Sequence, residues 1–523
     1  MEPPSQYIER NFLLLVPLFI SSILIVLLLK YLSNKNPTLK HKSHKHIPGP
    51  TKLPIIGNLH QLIGKHPHLI LDSLAKKFGP VFFLQLGEVP TVVLSSPQTA
   101  KEALKTHDLA LATRPEIFAA KILFYNCSDI AFSPYGPHWR HVRKISTLEL
   151  LSVKRVQSYG FVREEEVSRL FQRVLEHSSS SSSYPNKTIN LTKLLNLYAN
   201  DVLCRIVFGK DFSVDGEYER LGFQEMLNEY QELLGGFALG DFFPSMEVFM
   251  HTLTGNKARL VKAFKRFDRL FNDVIEERLR TKSDCAKEKK DFVDILLEIH
   301  QDKDAEMPLT MDNVKALLLD MFAAGTDTTF IVLDWGMTEL VTNPSVLKKL
   351  QTEVRKVVGQ KKFVSENDLL HLPYMKAVIK EIYRLHPPAP VLVPHESMQE
   401  VTIGGFTIPE KTRIFVNAWA VGRDPGTWSH PDRFYPDRFV DSDVDFKGKD
   451  FELIPFGAGR RSCPAIAFGS ATVEIALAQL VHSFDWELPD GIKAVDLDME
   501  EVFGITMHRK SPLEVVAKPY FTS

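Results

Sequence analysis

The sequence holds little of what would mark a small, cross-linked or nucleic-acid-binding protein. Cysteine is scarce: Cys127, Cys204, Cys285 and Cys463 are the four in 523 residues, and no two stand in C-x-x-C spacing. That excludes a zinc-finger or disulfide-framework reading. A surplus of charge is missing as well. The formal net charge is -1, and phosphate binding needs a basic face, so nucleic acid is not an expected partner. No internal repeat is present, and low complexity is confined to the serine run at 178–183. Hydrophobic residues make up 44% and charged residues 24%, values that exclude disordered and collagen-like classes.

What is present begins with one long apolar run. Residues 12–29 read FLLLVPLFISSILIVLLL, 18 positions without a charge, a helix of about 27 Å. A cleaved signal peptide would have a shorter run and a small-residue cleavage site. Here Lys30, Lys35, Lys40, Lys42 and Lys45 follow instead. The positive-inside rule places this flank, and everything after it, in the cytosol. The expected organisation is a membrane anchor over 1–30, a basic linker over 31–46 and one catalytic body over 47–523. After the proline-rich entry at 47–58, residues 81–86 and 91–94 are expected to form a hairpin around Gly87-Glu88-Val89-Pro90. Helical patterning then dominates, and short strands return near 401–408 and at the C-terminus. The fold class expected is mainly α with small β-sheets, preceded by one transmembrane helix.

Residues 455–465 read PFGAGRRSCPA. Gly457 and Gly459 permit tight turns and close backbone approach. Arg460 and Arg461 place cations near Cys463, and the helix expected from Ile466 adds its N-terminal N–H groups, both favouring a thiolate. Such a cysteine could be a redox thiol, a nucleophile or a metal ligand. The order Phe456, Gly459, Arg461, Cys463 resembles the haem-binding loop of the cytochromes P450, Phe-x-x-Gly-x-Arg-x-Cys. The resemblance implies haem b with Cys463 as axial thiolate, which pushes electron density toward iron and favours O–O cleavage. It also implies a propionate contact for Arg461, and Phe456 shielding the sulfur. Ala465 stands where many members have glycine, a packing change unless φ > 0 is required there.

Three more segments carry the resemblance in order. Glu381 and Arg384 are i, i+3 on a helix. Such a pair is commonly a surface ion pair, but it resembles the family's Glu-x-x-Arg, which implies a buried network with Arg438 that holds the haem loop. Residues 317–329 read LLLDMFAAGTDTT, a core helix with a packing notch or, by resemblance, the oxygen-activation motif. In that motif Thr328 organises water and dioxygen, and Asp327 relays protons. Trp139 and Arg143, i, i+4, match a Trp-x-x-x-Arg propionate motif, and both are expected to reach one ligand. His395 is a further propionate candidate or a satisfied loop histidine.

The resemblance runs from Ile47 onward and looks most like plant microsomal members of specialised metabolism. It implies oxygen insertion into a lipophilic substrate, NADPH–cytochrome P450 reductase as partner, and an endoplasmic reticulum location. Substrate-lining candidates are 114–129, 318–324, 389–393 and 502–506.

Overall fold

The computed structural model describes residues 46–62, 66–178, 187–213, 222–235, 238–281, 290–302, 307–502 and 504–520. The expected anchor, all of the linker except His46, the serine run from 179 on and Phe503 lie outside them.

Eight helices position the site: α1 (Pro67–Phe78), α2 (Pro137–Ile145), α3 (Leu191–Val207), α4 (Phe223–Leu234), α5 (Met311–Leu319), α6 (Gly325–Thr342), α7 (Pro373–Leu385) and α8 (Ile466–Ser483). Their buried faces merge into one apolar core that includes Leu203, Phe322, Ile382 and Val473. Helix α5 starts on a reciprocal cap, with the Thr310 hydroxyl accepting from Asn313 N and the Asn313 side chain accepting from Thr310 N. Residues 320–324 between α5 and α6 form a single widened π-turn, so the two helices run on as one rod of 32 residues. Such bulges mark functional positions in helices. That rod and α8 are apolar enough to cross a membrane, yet 83% and 67% of their most apolar windows are buried within the body. They are core helices.

The strands are β1 (Val81–Leu86), β2 (Val89–Leu94), β3 (Thr188–Asn190), β4 (His395–Glu396), β5 (Val401–Ile403), β6 (Phe406–Ile408), β7 (Arg413–Val416), β8 (Phe484–Glu487), β9 (Glu501–Val502), β10 (His508–Arg509) and β11 (Glu514–Pro519). The largest sheet has order β1-β2-β7-β4. Val92, Leu94 and Ile414 face one apolar cluster, while Val93 and Phe415 face another, the period-2 signature of strands buried on both faces.

The first hairpin is tighter than expected. Leu86 pairs with Val89, so the turn is Gly87-Glu88 and Val89-Pro90 belong to β2. Pro90 sits inside a central strand because pairing with β7 begins only at Thr91. Its missing N–H therefore leaves no gap on that side.

Candidate haem-thiolate site

The cysteine loop is fixed by its own backbone. Cys463 N donates to Phe456 O at 2.9 Å, Ser462 N to Gly459 O at 3.1 Å and Gly457 N to Ile454 O at 3.0 Å. Gly457 and Gly459 lie at φ 66° and 72°. At Gly459 glycine is obligatory, since a Cβ would stand 2.3 Å from Leu104 O and 2.5 Å from Asp108 Oδ1. Ala465 has φ -99°, so nothing in the backbone demands glycine there. Its N–H points at the sulfur, 3.4 Å away, and α8 begins at the next residue.

The two neighbouring arginines do not serve the sulfur as expected. Arg460 pairs with Asp108 at 3.0 Å. Arg461 is buried and donates to three carbonyls: Ala112 at 2.6 Å, Ile130 at 3.1 Å and Ser133 at 2.5 Å. The cation that acts on Cys463 is Arg143. Burial pushes the thiol up, with the Ala465 N–H and Arg143 pulling it back. The prediction that Arg460 and Arg461 lower it is corrected, because one is spent on an aspartate and the other on carbonyls.

Trp139 and Arg143 also divide their labour. The indole N–H donates to Ile130 O at 3.0 Å, and the ring lies 4.2 Å from the Arg461 guanidinium carbon. Trp139 therefore props Arg461, while Arg143 lines a cavity of about 270 Å³. Of the two, Arg143 lines the cavity and Trp139 backs Arg461, which lines it too. The same cavity is lined by Cys463, Arg461, His395, Phe456 and Arg114. Sequence reading placed Arg114 only at the edge of a substrate segment. It donates to Ala131 O, Val393 O and Pro394 O, carbonyls far apart in the chain, so no local motif could reveal it. His395 Nδ1 bonds Leu111 O at 2.8 Å, and burial, then Arg114, push its imidazole well down.

Glu381 and Arg384 are buried, not a surface pair. Arg384 engages both carboxylate oxygens, at 2.7 and 2.8 Å, and donates to the carbonyls of Gly422, Pro431 and Arg433. Arg438 Nε reaches Glu381 Oε1 at 3.2 Å. Two residues along α7 from Glu381, the Tyr383 ring stands edge-on to Phe456, centroids 5.0 Å apart. The network thus abuts the cysteine loop.

The distal wall is the widened turn. Ala324 is exposed within an otherwise buried stretch, and the space it faces is the cavity. Thr328 Oγ1 donates to Ala324 O at 2.8 Å, one turn back, and lines the same cavity. Gly325 serves helix packing: a Cβ there would stand 2.8 Å from Leu203 Cδ1 of α3. Asp327 does not line the cavity. It is buried and bonded to Thr506. Met321, Ala324, Ala389, Leu392 and Val393 supply most of the expected substrate wall, whereas Val391, Gly504 and Ile505 line a separate cavity of about 30 Å³. Sequence reading also missed a buried acid pair. Asp320 Oδ2 accepts from Ile130 N at 2.7 Å, beside Asp129, and burial raises Asp129 to about 6.

Residues 47–513 match the family model for Cytochrome P450. The chain is 64% identical to Cytochrome P450 71AP13 of Prunus mume over 95% of both chains. It is 46% identical to premnaspirodiene oxygenase of Hyoscyamus muticus over 95% of this chain and 98% of that one. A zebra fish cytochrome P450 solved with abiraterone superposes with a TM-score of 0.73 at 24% identity, covering 87% of this chain and 99% of that chain. A cysteine loop facing a π-turn across one cavity, a family match over residues 47–513 and a relative 64% identical lead to one conclusion: the chain belongs to the cytochrome P450 family of haem-thiolate enzymes.

Proposed function

We propose that this monooxygenase inserts one atom of O2 into a lipophilic plant metabolite, a terpenoid or small aromatic, with electrons from NADPH passed on by cytochrome P450 reductase. The observation that carries the reading is the shared cavity: the Cys463 sulfur and the Thr328 hydroxyl face the same space from different elements.

The residues present fit a haem. Arg114, Arg143 and Arg461 line one cavity, and among the described residues none of them has a carboxylate within 4 Å. The Arg143 guanidinium also has no hydrogen-bond partner there. Burial disfavours the charge of all three, so a pair of propionates would relieve a real electrostatic cost. His395 would join them once protonated, since its Nδ1–H is given to Leu111 and only the charged ring has a second donor. Cys463 would ligate the iron, with Ala465 N–H and Arg143 stabilising its charge. When bound, the haem supplies oxygen binding, electron transfer and oxygen insertion. Thr328 keeps its hydroxyl at the cavity wall, where it would hold a water by exchanging its bond to Ala324 O. Glu381, Arg384 and Arg438 hold the meander behind the loop and do no chemistry.

On the substrate side, Met321, Leu392 and Val393 give an apolar wall that selects by shape. The activity named for premnaspirodiene oxygenase supports a terpenoid. The run at 12–29 is, in this reading, the endoplasmic reticulum anchor, with the body on the cytosolic face. Removing residues 1–30 should leave a normal haem spectrum and shift the protein from the membrane pellet toward the soluble fraction; loss of folding instead would make the run part of the core.

The test is turnover of a panel of sesquiterpene hydrocarbons and small phenolics by microsomes carrying this chain and a reductase. Product should require NADPH, reductase and oxygen together. Product formed without NADPH would overturn the monooxygenase reading in favour of isomerase or dehydratase chemistry.

A further inference from the structure

Asp327 is the acid expected to feed protons into the cavity, yet its carboxyl is held by residues from two other parts of the chain. Thr506 Oγ1 lies 2.5 Å from Asp327 Oδ2 and 2.7 Å from Gln231 Oε1. All three side chains are buried. Gln231 belongs to α4, Asp327 to α6, and Thr506 to the turn before β10.

With the Gln231 amide oxygen turned to the hydroxyl, a proton count sets the arrangement. A threonine hydroxyl has one hydrogen and accepts through its lone pairs. Here it faces two oxygens, one from an amide and one from a carboxyl, and cannot donate to both. Two buried acceptors facing each other without a hydrogen would repel, and each would bear a desolvation penalty. The count closes when the carboxyl carries a proton, gives it to Thr506 Oγ1, and Thr506 gives its own to Gln231. The environment agrees: burial pushes the Asp327 carboxyl up, against the pull of Thr506 and His508.

We propose that Thr506 and Gln231 form a clasp that parks Asp327 as a neutral acid turned away from the cavity, so that proton supply waits on movement of α4 or the turn at 504–506. Both clasp elements border the small cavity that Leu392 shares with the large one: Leu234 at the end of α4 lines it, as do Gly504 and Ile505. A lipophilic molecule seated against Leu392 therefore presses on the parts that hold the acid. Thr506 and Gln231 are positioning residues for Asp327. The inference rests on the monooxygenase reading for its purpose, though not for its geometry. The backbone bond from Ile505 N to Gln231 O, at 3.1 Å, holds turn and helix together without the Thr506 hydroxyl. Thr506→Val should thus fold.

The test reads the resting holoprotein by infrared difference spectroscopy. The carbonyl band of a protonated carboxyl, assigned by its loss in Asp327→Asn, should shift in Thr506→Val and in Gln231→Leu, and stay put in Thr506→Ser. No Asp327-dependent band, meaning an ionised acid with the Gln231 amide turned, would overturn the clasp. So would a band indifferent to Thr506→Val. In microsomes without substrate, Thr506→Val, which no longer withholds the acid until a molecule is seated, should raise hydrogen peroxide formed per NADPH several-fold, with Thr506→Ser near the parent value; peroxide unchanged in Thr506→Val would overturn the withholding role. Unchanged product per NADPH in Asp327→Asn would remove the relay itself, and the infrared bands would still decide the clasp.

Discussion

Between Phe456 and Cys463 the backbone turns are closed by local bonds and set by two glycines, and only Arg460 and Arg461 bond to parts of the chain 328 to 352 residues away. Between Asp320 and Asp327 the acidic side chains bond to parts of the chain 190 and 179 residues away. The first region is built by local sterics, which admit one arrangement. The second is a widened helical turn whose acids are held by loops, and loops can move. A site that must keep one sulfur fixed while admitting protons in turn has reason to be built in both ways.

The comparison breaks most plainly at the cysteine. Cys463→Ser should abolish the red-shifted Soret band of the reduced carbon monoxide complex, because a neutral hydroxyl does not replace a thiolate; retention of that band would remove Cys463 from the ligand role. Next comes the network behind the loop. Glu381→Ala leaves Arg384 and Arg438 buried without their carboxylate, a loss of about 3–5 kcal/mol, seen as little haem-loaded protein at normal expression. Gly459→Ala and Gly325→Ala then set the two regions against each other directly. The first drives a methyl into the Leu104 carbonyl at positive φ and should cost about 2–4 kcal/mol. The second meets only the end of the Leu203 side chain, which can turn, and should cost about 1 kcal/mol or less. Equal losses in thermal unfolding would erase the distinction. The smallest effect on stability is expected for Thr328→Ala, within about 1 kcal/mol, yet product per NADPH should fall as hydrogen peroxide rises. Unchanged coupling would return Thr328 to a packing role.

The same contrast explains what could be read from the chain alone. Phe456, Gly459 and Cys463 were legible because they fall in one short stretch whose order resembles the family's haem loop, with the glycine turns leaving a local trace. Glu381 and Arg384 were legible as a spacing, though their burial was not, since an i, i+3 pair looks alike on a surface and in a core. Arg114, the Asp129–Asp320 pair and the Thr506–Gln231 contacts left no trace, because each is made across a long stretch of sequence. That Arg461 donates to three carbonyls was illegible for a related reason: nearness to Cys463 in the chain says nothing about which carbonyl a guanidinium will find first. The helical body and small sheets were legible from periodicity, and the hairpin was off by two residues, since a proline was taken as a turn where the neighbouring strand had not yet begun to pair.

Leu392 lies at φ 53°, on the shared wall of the two cavities. Left-handed backbone is poorly tolerated by β-branched side chains, so valine and isoleucine are disfavoured there however well they might suit a new substrate. Asparagine and glycine tolerate the geometry but would open the partition. Descent with change of substrate is therefore channelled to the flanking positions, Val391 on the small cavity and Val393 on the large one. An inventor of new variants inherits the same restriction: saturation at 391 and 393 explores pocket shape, whereas saturation at 392 mostly explores backbone strain.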